Sequence, residues 1–188
     1  MSRVMTFSRY FPAYHPKRGE PTYFVEAILT QLGIDYTSHD YFAWLTNNNP
    51  DINIFFLLEF IESLSINIDP KSHTIRAHKK PLKVGQLVNP KCWAGKPYNK
   101  TKEGYWQIKF APDIEVKKTW PIRIDLTDQY ELVYLIDELG DAISVDEKKL
   151  ASNDGLTEQD FYDWFDTSKN RKKVFAGQVV CWNEKIEY

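Results

Sequence analysis

Residues 70–76, Pro-Lys-Ser-His-Thr-Ile-Arg, mark the point at which the hydrophobic period of the chain changes. Beyond them, segments rich in Val, Ile, Tyr and Trp alternate with Pro and Gly, a pattern typical of short strands joined by turns. Strands are predicted at residues 86–93, 104–112, 114–126, 130–137 and 174–182, and short helices at 146–151 and from Thr157 onward. This part of the chain therefore predicts a β meander or barrel with a few helices.

The N-terminal part of the chain predicts one strand followed by helices. Residues 4–11 mix β-branched and aromatic side chains, which indicates a first strand. Pro21 and Gly33 bracket a predicted helix, and residues 41–45 a short helical turn. With strands at both ends and helices between them, the expected fold class is α+β.

A strongly apolar helix is predicted over residues 51–65. Asn49 is its expected N-cap, and Pro50 stands at the first helical position. Its apolar side chains cover more than one face, while Glu59 and Glu62 keep one edge polar. Such a helix either closes a hydrophobic core or binds a protein partner, and the sequence leaves both interpretations open.

Composition places the chain among globular proteins. Its 188 residues are 43% hydrophobic and 15% aromatic, which is enough to bury one core in one domain. No signal peptide or membrane span is recognisable, so we expect a soluble, cytoplasmic protein without a membrane partner. Cys92 and Cys181 show no zinc or disulfide spacing, and the four histidines show no ligand spacing. We therefore expect neither a metal site nor a cofactor.

The net charge of -2 conceals an uneven distribution. Residues 71–102 contain nine Lys or Arg and no acidic residue, whereas residues 125–166 contain thirteen Asp or Glu against two lysines. A basic segment of this kind either binds an anionic partner or is ordinary solvated surface. No phosphate-binding glycine loop or nucleophile elbow is present, so the common nucleotidase, dinucleotide-binding and hydrolase classes lack their signatures.

Three short segments carry a family resemblance. The run from Lys71 to Arg76, followed by Val84-Gly85 and a strand, resembles the K-x-x-T-x-R element and glycine turn of ASCH domains. Residues 151–157, which lead into a helix, resemble the acidic-Gly segment of the same family, and the last strand matches in place. From first to last, the three segments span roughly residues 71–182, about half of the chain.

The resemblance implies a fold and a class of ligand. The fold would be a PUA-like mixed β-barrel with helices closing the barrel mouth and an extended helical N-terminal region. Residues 1–188 would form a single domain, in which 1–69 supply the first strand and helical lead-in and 70–188 the barrel core. A cleft in this domain would bind RNA or a modified nucleotide.

The basic segment supplies residues for such a cleft. Its lysines are interleaved with aromatic rings, and this combination neutralises phosphates while it stacks unpaired bases. The predicted nucleic-acid-binding residues are Arg76, Lys79, Lys91, Trp93, Lys96, Tyr98 and Lys100, with Lys102, Tyr105 and Trp106 close by in the sequence. In the alternative interpretation, Trp93 and Trp106 pack in the core and the lysines only solvate its rim.

The resemblance also extends to acetylcytidine amidohydrolases, which implies a catalytic trio of Lys71, Thr74 and Asp154. Lys71 would activate the Thr74 hydroxyl, and the carboxylate would orient the lysine or manage its proton. Asp154 stands where the enzymes carry Glu, one methylene longer. In the alternative interpretation the trio is a hydrogen-bond network without chemistry. The sequence thus supports an RNA- or nucleotide-binding module, with an amidohydrolase or a protein-interaction module as alternatives.

Overall fold

The structure is a computed structural model that describes residues 2–77, 80–126, 132–137, 139–166 and 174–188. The helices formed by these residues are α1 (Phe24–Gln31), α2 (His39–Asn48), α3 (Ile54–Glu62), α4 (Glu147–Asn153) and α5 (Glu158–Phe165). The strands are β1 (Arg3–Phe7), β2 (His73–Arg76), β3 (Leu87–Trp93), β4 (Gln107–Lys109), β5 (Ile114–Glu115), β6 (Lys118–Asp125), β7 (Leu132–Ile136), β8 (Ala142–Ser144) and β9 (Val174–Cys181). The expected α+β class is confirmed.

The helices are short, and the extended helical N-terminal region predicted from the sequence is wrong. The first three helices contain 8, 10 and 9 residues. Gly33, with φ of 66°, follows the end of α1 in a left-handed conformation that ends helices. The side chain of Asn53, and not the expected Asn49, caps α3 by accepting a hydrogen bond from the Phe55 amide at 2.8 Å. None of the helices in the described ranges is long and apolar enough to cross a membrane.

The chain divides into two compact units, each described here by itself. The first unit comprises Met1–Phe11, Glu20–Lys71 and Leu87–Ile114. The second unit comprises Pro12–Gly19, Ser72–Gln86 and Glu115–Tyr188.

The first unit is built on a sheet in the order β1-β3-β4, with β5 also paired to β3. β1 runs parallel to β3, and β4 runs antiparallel to it. One face of the sheet is buried with α1, α2 and α3 in a core whose fully buried side chains are Phe7, Val25, Ile28, Leu29, Leu45, Leu57, Val88, Cys92, Ile108 and Phe110. The alternating burial of β3 leaves its other face partly exposed.

The second unit contains an antiparallel sheet in the order β2-β9-β6-β7-β8. Its core includes Ile122, Ile124, Leu135, Leu150, Phe161, Val179 and Val180. Among the described residues β2 and β8 are edge strands, so the sheet stays open. The predicted PUA-like barrel, with helices closing its mouth, is therefore wrong: the strands form two separate sheets and not one closed sheet.

Asn49 connects α2 to the outer edge of the first sheet. Its side-chain amide donates to the carbonyl oxygens of Leu45 and Lys109 at 2.8 and 2.9 Å. Its side-chain oxygen accepts from the Lys109 amide at 2.8 Å. One carboxamide thus satisfies both backbone groups of Lys109, as a neighbouring strand would. This contact holds β4 in place and, with it, the hairpin that β4 forms with β3.

Candidate nucleic-acid interface

The β3–β4 hairpin of the first unit carries three aromatic rings in contact, which we call the aromatic platform: Trp93, Tyr98 and Trp106. The Trp93 and Tyr98 ring centroids lie 4.9 Å apart, and those of Trp93 and Trp106 lie 5.8 Å apart. Tyr98 is 79% exposed and Trp106 is 45% exposed, while Trp93 is half-buried between them. Large apolar rings usually leave water, so a cluster presented in this way has flat surfaces available to a partner.

The period of β3 explains why Trp93 does not enter the core. Val88, Pro90 and Cys92 are buried, so Lys91 and Trp93 lie on the opposite, partly exposed face. This places a cation two residues from an indole on the same side of the sheet. The alternative in which Trp93 and Trp106 pack in the core does not hold in the structure.

The loop between β3 and β4 is held at its base and at one side. The Ala94 amide donates to the Trp106 carbonyl at 3.2 Å, which continues the hairpin past the last strand pair. The Tyr105 hydroxyl accepts from the Asn53 amide at 2.9 Å, and its ring packs on Phe56 at 5.0 Å. Tyr105 therefore anchors the loop to the start of α3 and is not part of the platform.

Tyr98 has an unusual backbone for a large residue. Its φ is 61°, in the left-handed region that disfavours side chains with a Cβ. The ring is mostly exposed, so its burial in a core does not explain this conformation. Backbone strain without a packing reason is concentrated at functional positions in proteins.

The charge around the platform is positive. Residues 94–106 contain three lysines and one glutamate, a net charge of +2, and Lys96, Lys100 and Lys102 are exposed. Hydrogen bonds from its own backbone amide and from the Thr101 side chain lower the pKa of Glu103, so this acid is ionised at neutral pH. Lys91 lies on the same face of β3 as Trp93. Cations and exposed rings therefore occupy the same hairpin.

The remaining predicted nucleic-acid-binding residues lie elsewhere. Arg76 is half-buried on β2, in the second unit, and Lys79 lies outside the described residues. The structure thus brings together five of the seven predicted residues on one hairpin: Lys91, Trp93, Lys96, Tyr98 and Lys100.

The predicted catalytic residues are all buried. Lys71, the last residue of the first unit, is completely inaccessible, and its Nζ lies 4.2 Å from the Phe24 ring centroid. Thr74 lies on β2, paired with Val180 of β9, and Asp154 follows α4, both in the second unit. The roles implied for these three residues stay predictions.

The segment that leads into β2 is buried although it is polar. Ser72, His73 and Thr74 are each no more than 5% exposed. The Ser72 amide donates to the carbonyl of Asn153 at 2.9 Å, which places this segment beside the residue that precedes Asp154. Buried polar groups are costly unless they are hydrogen-bonded. The second unit thus buries polar side chains at this segment where apolar ones would cost less.

A second polar cluster in the second unit has the composition of a metal site. Ligand atoms of His15, Asp160 and Asp163 lie within 4.8 Å of one another. However, Nδ1 of His15 accepts from the Lys17 amide at 3.1 Å, and its Nε2 lies 3.2 Å from the Asp160 carbonyl oxygen. Both ring nitrogens are engaged, so a metal ion would have to displace hydrogen bonds that the structure already makes.

Asp160 of this cluster is an anchor for residues 12–19. Lys17 and Thr157 each donate to its carboxylate at 2.7 Å. Burial acts to raise the pKa of Asp160, but the hydrogen bonds and the charge of Lys17 outweigh it and lower the pKa. No local sequence pattern predicts this contact, because Lys17 and Asp160 are 143 residues apart in the chain.

Helix α3 has an apolar face that its unit does not cover. Leu57 and Phe60 are buried, but Ile54, Phe55 and Leu58 are exposed, and Phe55 is 71% exposed. The interpretation of this segment as a core helix therefore holds for part of its surface only. Its role in protein interaction stays a prediction.

No protein-family model matches this chain, and neither a curated protein nor a solved structure matches it.

Proposed function

We propose that this chain is a cytoplasmic module that binds single-stranded RNA, or a modified nucleotide, through the aromatic platform. One observation carries the proposal: three contacting rings, two of them well exposed, stand on a hairpin whose exposed charges are mainly lysines. Any unpaired base has a flat π face, and stacking on an aromatic side chain contributes about 1–3 kcal/mol per base. Both cysteines are unpaired, which fits a reducing compartment.

The lysines supply the sequence-independent part of the interaction. Each phosphate that a lysine neutralises releases counterions, so affinity falls as salt concentration rises. Lys96, Lys100 and Lys102 are exposed and are positioned for this role. Binding would consist of stacking at the platform and phosphate contacts beside it, which is recognition of a single strand and not of a duplex.

A titration with RNA tests the proposal. We expect labelled oligouridine to bind the full chain with salt-sensitive affinity, and Trp106→Ala to weaken it. Trp44→Ala is the matched control, because it removes an indole of α2 from the same unit without changing the platform. Salt-independent binding, or equal loss in both variants, would refute the platform as the binding site.

A second candidate function is hydrolysis of an acylated nucleoside such as acetylcytidine, by Lys71, Thr74 and Asp154. The observation that bears on it is that Thr74 and Asp154, both in the second unit, are no more than 5% exposed, although buried polar side chains are costly. In the chemistry that the resemblance implies, a threonine hydroxyl attacks the acetyl carbonyl, a lysine takes its proton, and the proton passes to the departing cytidine amine. Water would then release acetate from the acyl-threonine. The resemblance to ASCH domains, which implies this chemistry, stays a prediction.

Product analysis separates the two candidates. Incubation with acetylcytidine, followed by chromatography, should give cytidine and acetate only if the second candidate is correct. Thr74→Ala should then abolish product formation, while Thr119→Ala, on β6 of the same unit, should retain it. If the chain neither binds RNA nor hydrolyses acetylcytidine, the result would instead favour protein interaction through the exposed face of α3.

A further inference from the structure

A cleft of about 180 Å³ lies between α3 and the segment that follows β1, within the first unit. Its lining residues are Arg9, Tyr10, Phe56, Glu59, Phe60 and Ser63. Three of them belong to α3 and Ser63 is its C-cap; their spacing of i, i+3, i+4 and i+7 places all four on one face of the helix. The cleft therefore has one helical wall and one wall from the N-terminal segment.

Arg9 is held in a fixed position in this cleft. Its Nη2 donates to Ser63 Oγ at 2.6 Å. Its guanidinium carbon lies 5.0 Å from the Phe60 ring centroid and 5.7 Å from that of Tyr10. A guanidinium has five N–H donors, and Ser63 is the one hydrogen-bond acceptor it has among the described residues. In the part of the chain that the structure describes, the other N–H donors of this guanidinium have no acceptor, so they are available to a ligand in the cleft.

Glu59 adds an acceptor to the same cleft. It is exposed, and among the described residues it forms no ion pair with Arg9. A simple anion would be repelled by this carboxylate and a simple cation by the guanidinium. The cleft suits a flat molecule with acceptors on one edge and N–H donors on another, between aromatic side chains that provide stacking surfaces.

Guanine has this pattern. Its O6 and N7 atoms accept hydrogen bonds, and arginine is the side chain that most often binds them as a pair. Its N1–H and N2–H groups donate, and a carboxylate accepts from both. Adenine lacks the O6 acceptor, and uracil lacks a pair of adjacent donors. Bases of single-stranded RNA are read on these edges while they stack on aromatic rings.

We propose that the Arg9 cleft reads a guanine base of the RNA strand that stacks on the aromatic platform. This inference rests on the proposed function. The two sites lie on connected elements of one unit: Phe56 lines the cleft and packs on Tyr105 at 5.0 Å, and Tyr105 directly precedes Trp106. The platform binds any base, and the cleft adds a preference for guanine.

The test compares oligouridine with an oligonucleotide of equal length that contains one guanosine. The guanosine is expected to tighten binding roughly 5- to 150-fold, the range of a good bidentate contact to one base. Glu59→Gln and Arg9→Gln should both lose this preference. Glu62→Gln and Arg18→Gln, which change exposed residues outside the cleft, should retain the preference. Because Glu59 is exposed, its variant keeps the test valid if Arg9→Gln unfolds.

The outcomes separate this inference from the proposed function. Binding of oligouridine without any guanine preference would overturn the guanine site and leave the platform intact. A preference that persists in both cleft variants would also overturn it. If neither oligonucleotide binds, a titration with guanosine decides: binding abolished by Arg9→Gln supports the cleft although the platform fails, and absence of binding overturns both.

Discussion

Replacement of Tyr98 by glycine should affect RNA affinity and stability differently. Tyr98 is 79% exposed and its ring contacts that of Trp93 at a tilt of 51°, so the variant loses one surface of the platform. If one base stacks there, about 1–3 kcal/mol of binding free energy disappears. The dissociation constant for oligouridine should therefore rise roughly 5- to 150-fold.

The effect on folding should be small because two contributions oppose each other. Tyr98 has φ of 61°, and relief of a left-handed conformation at a non-glycine residue contributes about 1–2 kcal/mol. Loss of the ring contact with Trp93 costs about 0.5–1.5 kcal/mol, and the added flexibility of glycine in the unfolded chain costs about 0.5–1 kcal/mol. The free energy of unfolding should thus change by no more than about 1.5 kcal/mol in either direction.

Fluorescence anisotropy of labelled oligouridine and urea denaturation measure the two quantities. Tyr23→Gly is a matched control, since Tyr23 also has a positive φ, of 56°, and a partly exposed ring in the same unit. The control should bind RNA normally. An unchanged affinity in Tyr98→Gly, or an equal loss in Tyr23→Gly, would refute the assignment of Tyr98 to the platform.

Three further predictions concern charge and folding. Lys96→Ala should reduce the slope of log affinity against log salt by roughly 0.7 if the lysine binds one phosphate, as titrations at several salt concentrations would show. Asp160→Asn should lower the free energy of unfolding at pH 7 by about 1–3 kcal/mol, measured by urea denaturation, since a neutral carboxamide oxygen accepts weaker hydrogen bonds from Lys17 and Thr157 than the carboxylate does. The folded state lowers the pKa of Asp160, so this stabilisation is present above the unfolded pKa of about 3.9 and is lost as the pH falls through the lower folded value. Asn49→Ala should cost about 2–4 kcal/mol, measured in the same way, because it leaves backbone groups of an edge strand without partners.

Each of these predictions has a clear contrary result. Lys185→Ala, an exposed lysine of the second unit, should leave the salt slope unchanged, and an equal reduction would make the Lys96 effect nonspecific. A stability difference for Asp160→Asn that persists well below the unfolded pKa would contradict the ion-pair explanation. A cost below about 1 kcal/mol for Asn49→Ala would show that water replaces its carboxamide.

Local features of the fold were predictable from the sequence. The strand at residues 86–93 and the last strand were recognised from β-branched and aromatic runs, and both are confirmed as β3 and β9. Thr157 was recognised as the start of a helix, and its side chain caps α5 through the Asp160 amide. These signals lie within a few residues of the structure that they specify, so one sequence is sufficient to find them.

Pairing partners were not predictable in the same way. β1 pairs in parallel with β3, which lies more than eighty positions later in the chain. This pairing places β1 in the first sheet, apart from the strands of the second sheet. Alternating hydrophobicity shows which face of a strand is buried but not which strand lies beside it. A meander that closes and one that stays open have the same local pattern, which is why the barrel prediction failed.

The residues of the candidate sites were predictable only where they lie close together in the sequence. Lys91, Trp93 and Tyr98 are close in the sequence, and a single hairpin keeps them close in space. The Arg9 cleft combines residues more than forty positions apart, as the 54-residue separation between Arg9 and Ser63 shows. No sequence motif marks such a pair, since it is created by the packing of α3.

The contact between Asn49 and β4 also bears on how copies of this protein behave towards each other. An edge strand with open backbone groups is a template on which a strand of another molecule can add, which is how many β proteins aggregate. The Asn49 carboxamide occupies the outward amide and carbonyl of Lys109, in a strand only three residues long. A single side chain thus occupies the backbone groups to which a strand of another molecule could add beside the hairpin, so we expect Asn49→Ala to aggregate more readily at high concentration.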